Sequence, residues 1–373
     1  MSEYLVSARK YRPATFDTVV GQQALVKTLK NAISQNQLAH AYLFCGTRGV
    51  GKTTTARIFA KTINCTNRTP DGEACGECDS CKAFAEGRSM NIHELDAASN
   101  NSVDEIRSLI EQVRIPPQTG KYSVYIIDEV HMLTTSAFNA FLKTLEEPPS
   151  YAIFILATTE KHKILSTILS RCQVYDFSRI TIHDTVAHLK QIAEKEGVKA
   201  DADALSVIAE KSDGGMRDAL STFDQIVSFC GKEISYQNVI DSLGVLDYDY
   251  FFRFTDHFLK GEIKESLLLL NDLLLKGFTA ENFILGLAAH LRNTLVSKDE
   301  ATLNLLEVGD SIRDRYRQQA AGCSNDFLYD AMDLAVQCEQ EYKQSKNKRL
   351  LVELMLIRMC QLSEQKKNPE TQP

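Results

Sequence analysis

Residues 46–53 read Gly46-Thr47-Arg48-Gly49-Val50-Gly51-Lys52-Thr53, directly after the apolar run Ala41-Tyr42-Leu43-Phe44-Cys45 and directly before Thr54-Thr55-Ala56-Arg57-Ile58-Phe59-Ala60. An apolar strand, a glycine-rich turn ending in Gly-Lys-Thr and a stretch with helical spacing make up the phosphate-binding pattern G-x-x-x-x-G-K-[ST]. Gly46, Gly49 and Gly51 let successive backbone N–H groups turn inward around phosphates, and a helix starting near Lys52 adds its positive dipole end. Lys52 reaches the outer phosphates and the Thr53 hydroxyl can ligate Mg2+, so the stretch predicts a nucleoside triphosphate site on a parallel α/β sheet. A chance glycine-rich turn between a strand and a helix is the competing reading, and the Lys-Thr pair at that spacing opposes it.

The chain has 373 residues, long enough for two or three domains that each bury a core. With 44% hydrophobic and 24% charged residues it has the composition of a water-soluble globular protein. No run of about 18 apolar residues is present, and the opening ten residues lack the apolar stretch of a secretory signal, so a cytoplasmic location is expected. A net charge of -7 makes the surface as a whole a poor partner for nucleic acid, so any DNA contact would come from a local patch or a partner subunit.

Cys65, Cys75, Cys78 and Cys81 cluster within residues 64–82, while the other six cysteines stand singly. In a reducing compartment clustered thiols read as a metal site, and four thiolates suit a closed tetrahedral shell around structural Zn2+. A reduced loop without metal, or a redox pair at Cys75-Gly76-Glu77-Cys78, is the alternative.

Residues 121–131 form an apolar strand that ends in Asp128-Glu129. A buried parallel strand carrying two adjacent carboxylates to the edge of its sheet puts Asp128 where it can hold Mg2+ through water, and Glu129 where it can orient an attacking water. Thr135 and Ser136 can cap the next helix, whose apolar positions Phe138, Phe141, Leu142 and Leu145 face a core and which Pro148-Pro149 end. A second apolar strand, 151–159, finishes in Thr158-Thr159, hydroxyls that either touch the water or γ-phosphate or merely cap the strand. The strand 93–99 leads through Asn100-Asn101-Ser102 into a helix over 103–113, where a capping role is commoner than a DNA contact.

Taken together, Lys10-Tyr11-Arg12-Pro13, Val19-Val20-Gly21-Gln22, the loop 46–53, the four cysteines, Ile127-Asp128-Glu129-Val130-His131, Ala157-Thr158-Thr159 and Leu169-Ser170-Arg171-Cys172 resemble the gamma/tau family of bacterial DNA polymerase III, the AAA+ ATPases of the clamp loader. The cysteines between the phosphate loop and Asp128-Glu129, together with Ser170-Arg171-Cys172, narrow the resemblance from AAA+ proteins in general to that family. It implies that Thr159 senses the γ-phosphate and that Arg171 is an arginine finger acting in trans on a neighbouring subunit's ATP. Arg217 would be a second sensor, and Tyr11, Arg12, Pro13 and Val20 would lie near the adenine. Read without the family, Arg171 suits a surface salt bridge equally well, and Arg217 could pair with Asp218 or Asp224.

The resemblance also implies an architecture: an AAA+ domain over 1–179 with a zinc module at 64–82, a helical lid over 180–243 and an all-helical collar over 244–365, leaving a disordered tail at 366–373. The leucine-rich tracts 266–275 and 350–357 are apolar enough for burial in helix packing. The expected activity is ATP hydrolysis with Mg2+, opening the β sliding clamp and loading it onto primer-template DNA at the replication fork. The expected partners are further gamma/tau copies, the delta and delta-prime subunits, the β clamp, primer-template DNA and the polymerase holoenzyme, with no membrane. A branch-migration type DNA-remodelling motor, or a nucleotide-gated scaffold without hydrolysis, are the other readings the motifs permit.

Overall fold

The computed structural model of the chain describes residues 6–117, 120–306 and 308–365; the tail expected to be disordered lies outside them. The chain divides into two compact units, one holding the residues up to Lys195 together with Lys211–Gln225, the other holding Glu196–Glu210 and the chain from Ile226 onward.

The first unit is built on one parallel sheet of five strands: β1 (Ala41–Cys45), β2 (Ile92–Asp96), β3 (Ser123–Asp128), β4 (Ala152–Thr158) and β5 (Gln173–Asp176). Their order is β2-β3-β4-β1-β5, so β4 is inserted between β1 and β3. β1 and β4 are buried along every residue and β3 through Ile127, because helices cover both faces. Tyr42 and Phe44 face one side and pack with Phe59 and Ile63 of helix Lys52–Ile63, whereas Leu43 faces the other side with Phe138 and Phe141 of helix Thr135–Glu146. Edge-to-face ring contacts fix both layers, Tyr42 on Phe59 at 4.9 Å and Phe141 on Phe154 at 5.1 Å between centroids.

The strands expected over 121–131 and 151–159 are shorter, Ser123–Asp128 and Ala152–Thr158, and two further boundaries differ for a local reason. The cap of helix Thr135–Glu146 is Thr134, whose Oγ1 accepts the Ala137 N–H at 3.3 Å, so Thr135 already lies inside the helix. The strand expected to reach residue 99 stops at Asp96, whose carboxylate accepts the Ala98 N–H at 2.9 Å and the Ser99 hydroxyl at 3.1 Å, a local turn that replaces further pairing. Ser102 does cap helix Val103–Val113, in a reciprocal box with Glu105.

In the second unit, helices Tyr248–Lys260, Ile263–Leu275, Ala280–Val296, Asn325–Tyr342 and Lys348–Gln365 enclose a core that includes Phe254, Phe258, Phe283, Leu287, Leu328 and Met359. Burial of the leucine tracts is only partial. Leu269, Leu270 and Leu273 are buried, yet Leu268 and Leu275 are 60% and 79% exposed and Leu350 and Leu354 58% and 41% exposed, because a helix cannot turn a continuous apolar run onto one neighbour.

This unit buries His290 completely, with Nδ1 at 3.1 Å from the Tyr316 hydroxyl and Nε2 at 2.9 Å from Gln319 Oε1. Burial pushes the imidazole pKa down to about 3, against the hydrogen bond that Nε2 donates to Gln319 Oε1, so the folded chain holds His290 neutral. The unfolded chain binds a proton there below about pH 6.5, so the stability that neutral burial leaves intact at pH 7 falls as pH drops from that value toward the folded pKa. Urea unfolding of wild type and His290→Gln at pH 7 and pH 4.5 should show the wild type losing about 2 kcal/mol more than the variant over that interval. Parallel losses would show that His290 is not the linked group.

Candidate nucleotide and metal sites

The loop 46–53 leaves the end of β1 and enters helix Lys52–Ile63, as the motif requires. Two of its glycines are forced by close approach. A Cβ on Gly46 would lie 2.8 Å from the Phe177 carbonyl oxygen, and one on Gly49 would lie 3.1 Å from the Cα of Gly215. That second approach sets the loop against the start of helix Met216–Cys230, where Arg217 sits.

Lys52 is buried and its Nζ donates to the carbonyls of Gly46 and Thr47, each at 2.8 Å. Burial draws its pKa below the ordinary lysine value, with Glu129 and Asp128 acting in the opposite sense. Across the sheet edge the Thr53 hydroxyl donates to Asp128 Oδ2 at 2.6 Å. Glu129, the next residue, adopts the left-handed conformation at φ 47°, which turns it out of the strand. Its Oε2 accepts the Thr159 hydroxyl at 3.1 Å. Thr53 thus pairs with Asp128 and Thr159 with Glu129, and the Glu129 backbone N–H, donating to Asp128 Oδ1 at 3.0 Å, joins the two pairs.

A cavity of about 720 Å³ opens at this edge. Loop residues 48–54, Asp128 and Glu129 form one part of its wall, and Arg217 with Met216 and Leu220 form another. The N-terminal arm adds Tyr11, Arg12, Pro13, Val19 and Val20, and Asp96, Ala98, Ile180 and His188 also lie on the wall. Arg12 Nε donates to Thr54 Oγ1 at 3.2 Å, and burial, then the nearby Arg57, lowers its pKa. Asp224, one acid weighed as a partner for Arg217, accepts the Ser7 N–H at 2.7 Å. Arg171 does not reach this cavity; its Nη2 donates to Glu146 Oε1 at 2.7 Å and its Nη1 to the Thr167 carbonyl at 2.7 Å.

Sequence reasoning gave no role to His131 or His188. His131 is nearly buried, with Nδ1 3.1 Å from Thr158 Oγ1 and 3.4 Å from Glu129 Oε2, and Nε2 3.4 Å from Glu160 Oε1. His188 lines the cavity, and burial draws its pKa below the ordinary histidine value. Met216, Leu220 and Ser221 share a helix face with Arg217, so the spacing around that arginine was the available signal.

The four cysteine sulphurs lie within 4.8 Å of one another, a spread that a tetrahedral ion can span. Backbone N–H groups of Cys78 and Glu77 point at the Cys75 sulphur from 3.3 and 3.4 Å and hold its pKa below the ordinary thiol value. Such N–H to sulphur bonds favour thiolate at Cys75, whereas burial pushes the Cys65 and Cys81 thiols up, so the fit to a closed four-sulphur metal shell rests on the donor set and the spacing.

Family models divide the chain in three. "DNA polymerase III, delta subunit" matches residues 21–181, "DNA polymerase III clamp loader subunit, ATPase lid domain" residues 184–232, and "DNA polymerase III subunits gamma and tau domain III" residues 234–372. DNA polymerase III subunit gamma of Buchnera aphidicola subsp. Acyrthosiphon pisum is 33% identical over 356 residues, covering 95% of this chain and 98% of that one. Subunit tau of Bacillus subtilis is 41% identical, covering 97% of this chain and 64% of its own length, and tau of Escherichia coli is 36% identical, covering 95% and 55%. The chain therefore spans about two thirds and about half of those two tau proteins. Among solved structures, the Thermotoga maritima RuvB Holliday junction branch migration motor is 20% identical at a TM-score of 0.48, over 68% of this chain and 80% of that one. The Bacillus subtilis DNA clamp loader delta protein is 16% identical at 0.40, over 90% and 99%. The assignment rests on the sequence relatives, not on these distant folds: the chain belongs to the gamma/tau family of DNA polymerase III clamp-loader subunits.

Proposed function

We propose that the chain is an ATP-hydrolysing subunit of a clamp loader, and that its assembled form opens the β sliding clamp and places it on primer-template DNA. The observation that carries this reading is the pairing of Thr53 with Asp128 and of Thr159 with Glu129, which puts Thr53, Asp128 and Glu129 on the wall of the 720 Å³ cavity with Thr159 behind Glu129. Lys52 exchanges the carbonyls of Gly46 and Thr47 for the outer phosphates. Thr53 and Asp128 would hold Mg2+, whose charge offsets the charge on the phosphoryl oxygens. Glu129 accepts a proton from the attacking water. Thr159, already on the Glu129 carboxylate, ties that base to the presence of a γ-phosphate. Tyr11, Arg12, Pro13 and Val20 give the base its wall, and Arg217 adds positive charge from the helix facing Gly49.

Arg171 lies away from the cavity of its own chain, which suits the role of arginine finger toward a neighbouring copy. A finger in trans makes hydrolysis depend on assembly. The exposed Leu268, Leu275, Leu350 and Leu354 support the reading of 244–365 as the collar through which such copies associate. The division into an ATPase domain over 1–179, a lid over 180–243 and this collar is proposed on the same footing, as is the set of further partners, delta, delta-prime and the polymerase holoenzyme.

Steady-state ATP hydrolysis by the chain mixed with delta, delta-prime and β clamp should rise several-fold on adding primer-template DNA. Glu129→Gln should lower that turnover by about 10²- to 10³-fold while leaving nucleotide affinity within about twofold. Arg171→Ala should lower turnover in the assembly with affinity likewise kept. Turnover indifferent to clamp and DNA would point to a different motor, and no turnover in any mixture would leave a scaffold.

For the cysteines, elemental analysis should find about one zinc per chain. Zinc held across residues 65–81 closes a loop whose opening, by the chain-entropy argument for cross-links, costs about 3 kcal/mol. Chelation should therefore lower the thermal midpoint measurably, whereas an unchanged midpoint with the metal removed would mean that the loop is self-supporting.

A further inference from the structure

Glu73 lies between Cys65 and Cys75 in the cysteine loop, and it is a buried carboxylate, 6% exposed. Its oxygens accept the backbone N–H of Phe16 at 3.0 Å and of Asp17 at 3.2 Å, and Lys30 Nζ lies 2.7 Å away. Lys30, on helix Gln23–Ser34, also donates to Asp17 at 2.6 Å. The segment so held, Phe16–Thr18, joins Pro13 to Val19 and Val20, all three of which line the nucleotide cavity. The same loop is fixed at a second point, where Arg68 donates to the Thr62 carbonyl at 3.0 Å and the Ile63 carbonyl at 3.2 Å, at the far end of the helix that starts at Lys52. Arg12 on Thr54 and Gln22 on the Ser178 carbonyl, at 2.7 Å, pin the arm on either side, so Glu73 supports the stretch between those pins.

A buried carboxylate accepting two backbone N–H groups has few positions open to it, since releasing either donor leaves a buried polar group without a partner. The position of Glu73 in turn depends on its loop. A turn from Thr69 to Glu73 closes through the Thr69 N–H on the Glu73 carbonyl at 3.0 Å and the Glu73 N–H on Thr69 Oγ1 at 3.1 Å, and the cysteines bound the segment on each side. Metal at the cysteines shortens the range of this loop.

We propose that the cysteine loop braces the base-side wall of the nucleotide cavity through Glu73, so that metal retention at the four cysteines and nucleotide affinity are coupled. Glu73 is a positioning residue in this account, and the coupling rests on reading the cavity as the nucleotide site. Coupling between two binding events is reciprocal, so saturating nucleotide must tighten metal retention by the factor by which metal tightens nucleotide.

The test uses the full chain as wild type, Glu73→Ala and Glu73→Gln. Zinc release to a chromophoric chelator is measured with and without a non-hydrolysable ATP analogue, and amide exchange over residues 13–20 is measured without nucleotide. In the wild type the analogue should strengthen zinc retention about fivefold; in Glu73→Ala the effect should vanish, and Glu73→Gln, which keeps one acceptor, should fall between. Exchange over the arm should rise in Glu73→Ala with zinc still bound one per chain, and rise equally in the wild type stripped of zinc. Equal coupling in wild type and Glu73→Ala, or arm exchange untouched by both changes, overturns the brace. The exchange measurement needs no nucleotide, so it judges the brace even where the analogue fails to bind, a result that would count against the nucleotide site instead.

Discussion

The insertion of β4 between β1 and β3 is the constraint on which the rest of the first unit depends. It separates the strand that delivers the phosphate loop from the strand that delivers the carboxylates by two strand spacings, roughly 10 Å. The Thr53 hydroxyl, carried by the helix after the loop, must reach over that gap to Asp128, and it does so at 2.6 Å. Whatever ends β4 necessarily stands between the two. In this chain it is Thr158-Thr159, and register pairs Cys45 with Thr158, so Thr159 lies level with Gly46, where the loop begins. A strand that is buried along its whole length thus serves as a spacer as well as a core element.

Electrostatics follow from the same edge. The chain is acidic overall, yet Arg12, Arg48, Lys52 and Arg217 all line one cavity, opposed there by Asp96, Asp128 and Glu129. Net charge averages over such a site and says nothing about it. Concentrating cations where strands end and a helix begins leaves a cleft suited to a multiply charged anion on a chain whose net charge is negative.

Much of this was legible in the residues. The phosphate loop, the Asp128-Glu129 strand end, helix 103–113 with its Ser102 cap and the cysteine cluster depend on local spacing, which a sequence displays directly. Strand order does not, because nothing in residues 152–158 says which strands flank them. The same holds for His131: its neighbours Thr158 and Glu160 are adjacent to it only through the sheet. The missed cap at Thr134 and the early end of β2 at Asp96 reflect competition among several hydroxyl and carboxylate groups within a few residues, where hydrogen-bond geometry selects one. The leucine tracts misled for another reason. Their unbroken apolar character signals burial, but helical rotation sends Leu268 and Leu275 to the side away from Leu269 and Leu273.

The left-handed backbone at Glu129 bears on how this sequence can change. A glutamate at φ 47° carries conformational strain that glycine would not have and asparagine would have less of. Selection acting only on folding would replace it, and the fold would gain by the exchange. The residue that the proposed chemistry needs and the residue that the backbone prefers are therefore different at this one position, so variants drifting toward greater stability have a short route to losing turnover while keeping every other feature of the site.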